Sequence, residues 1–522
     1  MKKYLLILIL TLIPTFGIML RYGIYTMHDF HVFRQFEFDK CIQNLTFPCR
    51  WAPDAGLGYG EPVFNYYAQF PYWVGQVFRF LSFSVIDSTK ISFGLTIVLS
   101  AVTMYFLARK FWGNAGAVIS SVLYAYAPYR AVDVWVRGAL PEAMAFVFFP
   151  LILLSLKEFI ENQKQKYLFL LILSFAGLVI THNLSVVMFL PFVSAWFIYF
   201  FIKSDNKSIH TIYDVISAGL VTLLLSSFYI LPLIFEGNLV TVGETTTGYY
   251  DFHLHYTTLK QLFLSFLWGF GGSVWGPNDT MSFAVGHIHW IIAVVIIIAV
   301  FVKYLTPNPS PKLGEGNQRG EVLLSIALGL FAAFLTHGKA EFIWETIKPM
   351  AFIQFPWRFL TMSTLFLSLA AGAISHFVPK IVLAILVTTS ILFYAGNFKP
   401  DIWRSISDKE QFTGKLWDEQ RSSALLDFWP KSAKVPNTFA PLIPEVMLDT
   451  RFPIVYFPGW TAKIKNQKVP VFASGPMSQV TVHVPEGEKV ELSFEDTPVR
   501  RLGNIVSALS LLGLLLWKWK KS

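Results

Sequence analysis

Long apolar runs recur along nearly the whole chain, broken by short segments rich in Lys, Arg, Pro and Asn. A helix of about 20 apolar residues crosses a hydrocarbon core of about 30 Å. The pattern therefore predicts about twelve transmembrane helices, near 4–25, 87–108, 112–128, 139–157, 167–182, 184–203, 212–235, 286–303, 321–336, 356–376, 381–396 and 501–518. Residues 64–83 (FNYYAQFPYWVGQVFRFLSF) are also apolar enough to span, yet they carry Pro71 and Arg79 among many aromatics. Counting them as a span moves Arg109-Lys110 and most later basic clusters to the opposite side. They are read instead as an interfacial or re-entrant helix.

With the N-terminus in the cytoplasm, one side of the membrane collects the basic clusters. These are Lys2-Lys3, Arg109-Lys110, Lys157 with Lys164 and Lys166, and Lys203 with Lys207, followed by Lys303 with Lys312 and Arg319, Lys380, and Lys518 with Lys520 and Lys521. The positive-inside rule then predicts a multi-pass plasma-membrane protein with both termini cytoplasmic. The far side receives 26–86, 129–140, 236–285, 337–355 and 397–500. In the last of these, Arg451–Phe457, Val469–Phe472, Gln479–Val484 and Val490–Phe494 alternate between apolar and polar residues. The turn signals Pro458-Gly459, Asn466-Gln467 and Pro485-Glu486-Gly487 separate them, which predicts a small antiparallel β domain. The expected fold class is an all-α polytopic membrane protein with a small extracytoplasmic β domain near the C-terminus. Residues 1–396 form its core, 397–500 the polar domain, and 501–522 a final span with a basic tail. Residues 306–320 (TPNPSPKLGEGNQRG) read as a linker, and the run from Tyr4 to Arg21 as a retained first span.

Composition agrees. The 522 residues are 54% hydrophobic and only 14% charged, too few charges to cover a soluble protein of this length. The net charge of +9 lies in loop clusters rather than in a basic stripe, which excludes a nucleic-acid partner and suits membrane lipids. No P-loop and no GxSxG string occurs. Ionisable residues are scarce at mid-span, which disfavours a secondary transporter. The two cysteines, Cys41 and Cys49, fall in one predicted outer loop and read as a disulfide.

Candidate chemistry gathers on the far side. His28, His31, His182, His253, His255, His287, His289, His337 and His483 all fall there, leaving only His210 and His376 inside. Nucleotides are absent from that face, so a donor there must be lipid-linked. In HDFHVFR (28–34), Asp29 stands between His28 and His31, with Arg34 a turn further on. Asp29 either takes a proton from an acceptor hydroxyl, holds a divalent metal such as Mg or Mn, or caps a short helix. Arg34 offers a bidentate grip on phosphate. Arg130, Arg137 and Arg358 break the positive-inside trend among aromatics and prolines. Each needs an anionic partner, either Asp133 or Glu142 or the phosphate of a polyprenyl donor. Asp251, His253, His255 and Asp279 form either a metal or acceptor site or a set of interfacial side chains.

The strings MHDFHVFRQFEFDKC and PCRWAPDAGLGYGEPVFNYY resemble the first outer loop of a group of bacterial multi-pass proteins similar to GT-C glycosyltransferases. APYRAVDVWVRGALPEA, THNLSVVMFLP, WGFGGSVWGPNDTMSFAVGH and IWETIKPMAFIQFPWRFL extend the resemblance. YFPGWTAKIKNQKVPV and VPEGEKVELSFEDTPVRRLG resemble the β domain and last span of related enzymes. The group carries a label relating it to 6-pyruvoyl-tetrahydropterin synthase, although no soluble three-His zinc site is visible. The resemblance implies a GT-C-like helical core and a polyprenyl-phosphate or -diphosphate sugar as donor. It implies Asp29 as catalytic base, with Asp54 as a second carboxylate, and donor-phosphate contacts from Arg34, Arg137 and Arg358. The acceptor is then an envelope glycan, lipid or protein. The competing reading is a non-catalytic protein that binds or flips a lipid-linked glycan with the same arginines.

Overall fold

The computed structural model describes residues 1–244, 246–274, 279–305, 318–423, 426–446 and 449–521. Most of the predicted linker 306–320, including Lys312, lies outside the described residues, as does part of the WGFGGSVWGPNDTM string. The chain is predominantly helical with small sheets near its C-terminus. Among the described residues, seven helices are long and apolar enough to cross a membrane, or eight if the pair Ile209–Leu225 and Ser227–Phe235, bent by 74°, counts as one. The apolar helices Gln165–Val179 and His287–Val302 are shorter. Part of the difference from twelve is that Val85–Tyr126, 42 residues counted once among the seven, is two helices that meet at Gly113 (φ 64°, ψ −169°), as the expected spans 87–108 and 112–128 have it. Residues 64–83 form Val63–Tyr66 and Phe70–Phe80. Eleven helical residues rise only about 17 Å, too little to span.

The chain divides into two compact units. The first comprises Met1–Met27, Lys90–Ala218 and Thr246–Arg404. Its central helix, Leu140–Asn162, is 94% buried within the protein, whereas Lys380–Asn397 is only 17% buried and exposes residues such as Ile381 and Leu392. Such apolar exposure suits a helix whose solvent is lipid. Leu140–Asn162 packs against Gln165–Val179 and Asn183–Lys203, and Arg319–Leu335 against Leu360–Ala371. Gly116 and Gly372 let two chain segments touch. A methyl group on either would lie 2.5 or 2.7 Å from the other's carbonyl oxygen, the small-residue contact that draws membrane helices together. Trp112 seals the crossing by donating to the Leu369 carbonyl at 2.7 Å. A two-stranded ribbon, Ile24–Tyr25 with Trp403–Arg404, closes the unit.

The second unit comprises His28–Thr89, Gly219–Thr245 and Ser405–Ser522. Helix Asp29–Gln43 is fastened at its C-terminal end by the Cys41–Cys49 disulfide, with the expected pairing. Asp39 accepts from Arg79 Nε (3.0 Å) and Nη2 (2.8 Å) and from Gln76 Nε2 (2.7 Å), which pins Phe70–Phe80 against it. Two small antiparallel sheets follow. One runs Glu445–Val446, Thr450–Val455, Gln479–Val482, Phe472–Ser474, and the other Gln467–Val469, Trp460–Ile464, Val490–Phe494. The predicted strand Val469–Phe472 is thus divided between the sheets, because Pro470 cannot donate to a ladder. Trp460–Ile464 was not foreseen. Its hairpin turns at Lys465-Asn466, both with positive φ, one residue before the predicted Asn466-Gln467 turn. The final helix, Pro498–Lys521, is anchored by the fully buried Arg500, whose Nε donates to Glu236 Oε2 at 2.8 Å.

Candidate functional site

Two clusters carry the predicted chemistry, one in each unit. In the first unit, Pro128 opens the short helix Pro128–Ala131, which widens into a π-type turn over Val132–Val136. Such turns recur at functional positions. Gly138, at φ 58°, stops the segment, and Pro141 starts the next helix in its first turn. The break folds Glu142 back onto Arg137. Arg137 Nη1 donates to Glu142 Oε2 (2.8 Å), Asp133 Oδ1 (2.8 Å) and the Tyr129 hydroxyl (3.1 Å). Tyr129 and Thr361 donate to Glu142 Oε1 at 2.7 and 3.2 Å. Arg358 Nε lies 3.7 Å from Glu142 Oε2, while its Nη1 donates to the Ile353 carbonyl at 2.8 Å. The Arg137 guanidinium also rests 4.8 Å over the Trp357 ring. Arg137 and Arg358 keep 15% and 11% of their side chains exposed, against 2% for Glu142.

Charge is unbalanced at this point. Burial first, and then the nearby Glu142, push the Asp133 carboxyl well above its usual range, outweighing the pull of Arg137 and Arg130. Its Oδ2 has no hydrogen-bond partner among the described residues. Desolvation lowers His182 to about 4 despite the attraction of Glu142, so the ring is neutral at pH 7. The sign follows by linkage. An unfolded His182 takes a proton near 6.5 and the folded one near 4, so stability falls as pH drops through that window. Thermal melts between pH 7 and 4 are expected to show this loss, reduced in His182→Gln.

Arg130 behaves differently. It is fully buried and donates to the Ala143 carbonyl at 2.7 Å and to Ser100 Oγ at 3.4 Å, lying 4.3 Å over the Phe146 ring. This ties Pro128–Ala131 to the following helix and closes Arg130 off from solvent. Tyr129 and Thr361 join the cluster without having been singled out, whereas Asp133 was named as a partner for the arginines and His182 among the far-side histidines.

In the second unit, Asp29 is the first residue of helix Asp29–Gln43, with His28 before it and His31 on the next turn. Asp29 is half-buried and both histidines are buried. His31 Nδ1 lies 2.9 Å from the Tyr72 hydroxyl. Arg34, also buried, is sandwiched between the rings of Phe30 (3.7 Å) and Tyr67 (3.6 Å). Its charge lowers the carboxyl affinities of Glu61 and Asp427, although burial raises both overall. Glu61 is fully buried with neither carboxylate oxygen hydrogen-bonded among the described residues. Asp54 is held by Lys40 and donates its backbone N–H to Glu37 Oε2 at 2.9 Å. Glu37 is fully buried, and burial followed by Asp54 drives its carboxyl well upward. Asp54 is therefore ion-paired with the half-buried Lys40 and sits beside the buried Glu37, a grouping that sequence distance concealed.

The group Asp251, His253, His255 and Asp279 does not assemble. Both ring nitrogens of the buried His255 are engaged, Nδ1 with Ser273 Oγ (2.8 Å) and Nε2 with the Tyr249 carbonyl (2.5 Å). Asp279 accepts from Gln261 Nε2 (2.6 Å) and the Val274 N–H (2.9 Å). Only Asp251 and His253 remain paired, at 2.6 Å. Among the described residues, the set of three metal-ligating groups that lie close together is His253, Glu341 and Glu345, and no such set includes Asp29.

Comparison with known proteins adds the following. The chain is similar to the arabinofuranosyltransferase AftD from Mycobacteria, at 15% identity and a TM-score of 0.49, over 78% of this chain and 28% of that one. It is similar to the oligosaccharyltransferase of Archaeoglobus fulgidus, at 12% identity and a TM-score of 0.42, over 84% of this chain and 60% of that one. The chain thus spans less than two thirds of either protein. No curated protein matches it. Residues 64–399 match the family described as the 6-pyruvoyl-tetrahydropterin synthase related domain, a membrane protein. The chain belongs to this family of membrane proteins.

Proposed function

We propose that this protein transfers a sugar from a polyprenyl-phosphate or polyprenyl-diphosphate donor to a cell-envelope acceptor on the extracytoplasmic face of the plasma membrane. The observation that carries the reading is the sharing of one carboxylate, Glu142, by Arg137 and Arg358 at the polar ends of apolar helices. Two guanidinium groups that keep part of their surface exposed meet at this carboxylate and can turn N–H donors to a lipid phosphate. Planar guanidinium groups suit phosphate oxygens.

In the reaction, the acceptor hydroxyl oxygen bonds to the anomeric carbon while that carbon's bond to the phosphate oxygen breaks. The electron pair leaves with the lipid phosphate, whose charge Arg137 and Arg358 stabilise. The hydroxyl proton passes to a carboxylate base, the role that the resemblance implies for Asp29, and the anomeric centre is inverted. Arg130 and Asp54 take structural roles.

The phosphate assignment is tested with polyprenyl phosphate and the purified protein in nanodiscs. Arg137→Ala combined with Arg358→Ala is expected to weaken binding by about 10- to 100-fold, as loss of charge-assisted hydrogen bonds does. Arg130→Met is expected to lower thermal stability and leave affinity unchanged in the folded fraction. Wild-type affinity in the double variant would remove the phosphate from this cluster.

A further inference from the structure

Outside the residues used above, the segment around Asp251–His255 and the helix Glu341–Thr346 bring His253, Glu341 and Glu345 together. One potential ligand atom from each lies within 4.8 Å of the others. Glu341 and Glu345 are four residues apart, so both carboxylates leave the same face of the helix. His253 Nδ1 is 2.6 Å from Asp251 Oδ1, and its Nε2 is 3.8 Å from Glu341 Oε1. A carboxylate that holds the Nδ1 proton leaves the lone pair on Nε2, the arrangement by which metal-binding histidines are oriented.

The ring is also fixed in plane. His253 stacks on Phe252 at 4.0 Å, and Phe252 stacks on Trp344 at 5.3 Å. Trp344 is buried and belongs to the helix that carries both glutamates. Asp251 accepts the His253 backbone N–H as well, at 3.1 Å. The imidazole and the helix that carries the two exposed carboxylates therefore meet at one aromatic stack.

The local charge has no counterweight. Among the described residues, no Lys or Arg pairs with Glu341 or Glu345. The Tyr256 hydroxyl, closed off from solvent and without a hydrogen-bond partner among the described residues, feels Glu341, Glu345 and Asp251 together. Two carboxylates and one imidazole nitrogen describe a site for a cation that accepts both N and O ligands.

We propose that His253, Glu341 and Glu345 bind one divalent cation of the zinc class, with Asp251 as the positioning residue for His253. The imidazole ligand favours zinc over magnesium and calcium, which prefer oxygen donors. Three protein ligands leave at least one coordination position for water or an anionic ligand. This inference does not rest on glycosyl transfer.

The test is calorimetric titration of the full-length protein, stripped with EDTA in nanodiscs, with zinc, manganese, magnesium and calcium chlorides. One zinc per chain is expected to bind more tightly than the other three metals. His253→Ala and Glu345→Gln are expected to weaken it by at least about 100-fold, and Asp251→Asn by about 10- to 100-fold. Melting temperatures of the metal-free variants equal to wild type show that the losses are not unfolding. Added zinc then raises the melting temperature of the wild type alone. The absence of saturable zinc binding, preference for magnesium or calcium, or binding that survives both ligand substitutions overturns the proposal.

Discussion

Glu142→Ala is expected to destabilise the protein by about 3–5 kcal/mol, the usual consequence of removing one partner from a buried ion pair. Glu142 is the single carboxylate on which Arg137, Arg358, Tyr129 and Thr361 converge. Without it, Asp133 is the remaining acid beside two largely desolvated guanidinium groups. Asp133 cannot fully substitute, because its Oδ1 already accepts from Arg137 and its carboxyl is raised by burial. Loss of the Glu142 charge lets Asp133 ionise more readily, which returns part of the energy. Asp133→Asn is therefore expected to cost less than Glu142→Ala. Fluorescence-detected melting of both variants in one detergent checks the order. A Glu142→Ala protein as stable as wild type would mean that the arginines find other anions, and the cluster would lose its organising residue.

The polar clusters explain which parts of this molecule were legible in its sequence. Helices such as Asn183–Lys203 and Leu140–Asn162 announce themselves by length, because in lipid the backbone has to satisfy its own hydrogen bonds. The Cys41–Cys49 pairing was equally plain, eight residues apart in one loop. Arg137 and Glu142 were both visible, since a five-residue spacing across Gly138 and Pro141 is local information. The break between two helices at Gly113 was legible as well, marked by Arg109-Lys110 and the WGN string. Trp460–Ile464 was missed. Its pairing with Val490–Phe494 is made by contacts some thirty residues away, as its Thr461–Ser493 register shows.

The sites were less legible than the fold because their members meet through tertiary packing. Nothing near His253 in the sequence points to Glu341 and Glu345, which arrive on a separate helix. Glu37 and Asp54 likewise stand on either side of the disulfide loop. Arg130 and Arg137 look alike in APYRAVDVWVRGALPE. Only the direction of each side chain separates a buried tie to Ala143 from a partly exposed group beside Glu142.

The central claim is glycosyl transfer with Asp29 as base, and its most direct measurement is turnover in nanodiscs. Labelled sugar on polyprenyl-phosphate and polyprenyl-diphosphate carriers is supplied with envelope acceptors to wild type and to Asp29→Asn. The substitution preserves size at the first residue of helix Asp29–Gln43 and removes the negative charge together with the ability to take a proton. Loss of general-base catalysis is expected to lower turnover by about 100- to 10,000-fold, while donor binding stays at the wild-type level. Equal turnover in the two proteins would contradict the role of Asp29. No turnover by wild type with any donor, despite tight lipid binding, would contradict the transfer reaction itself and leave a protein that binds or flips lipid-linked glycans.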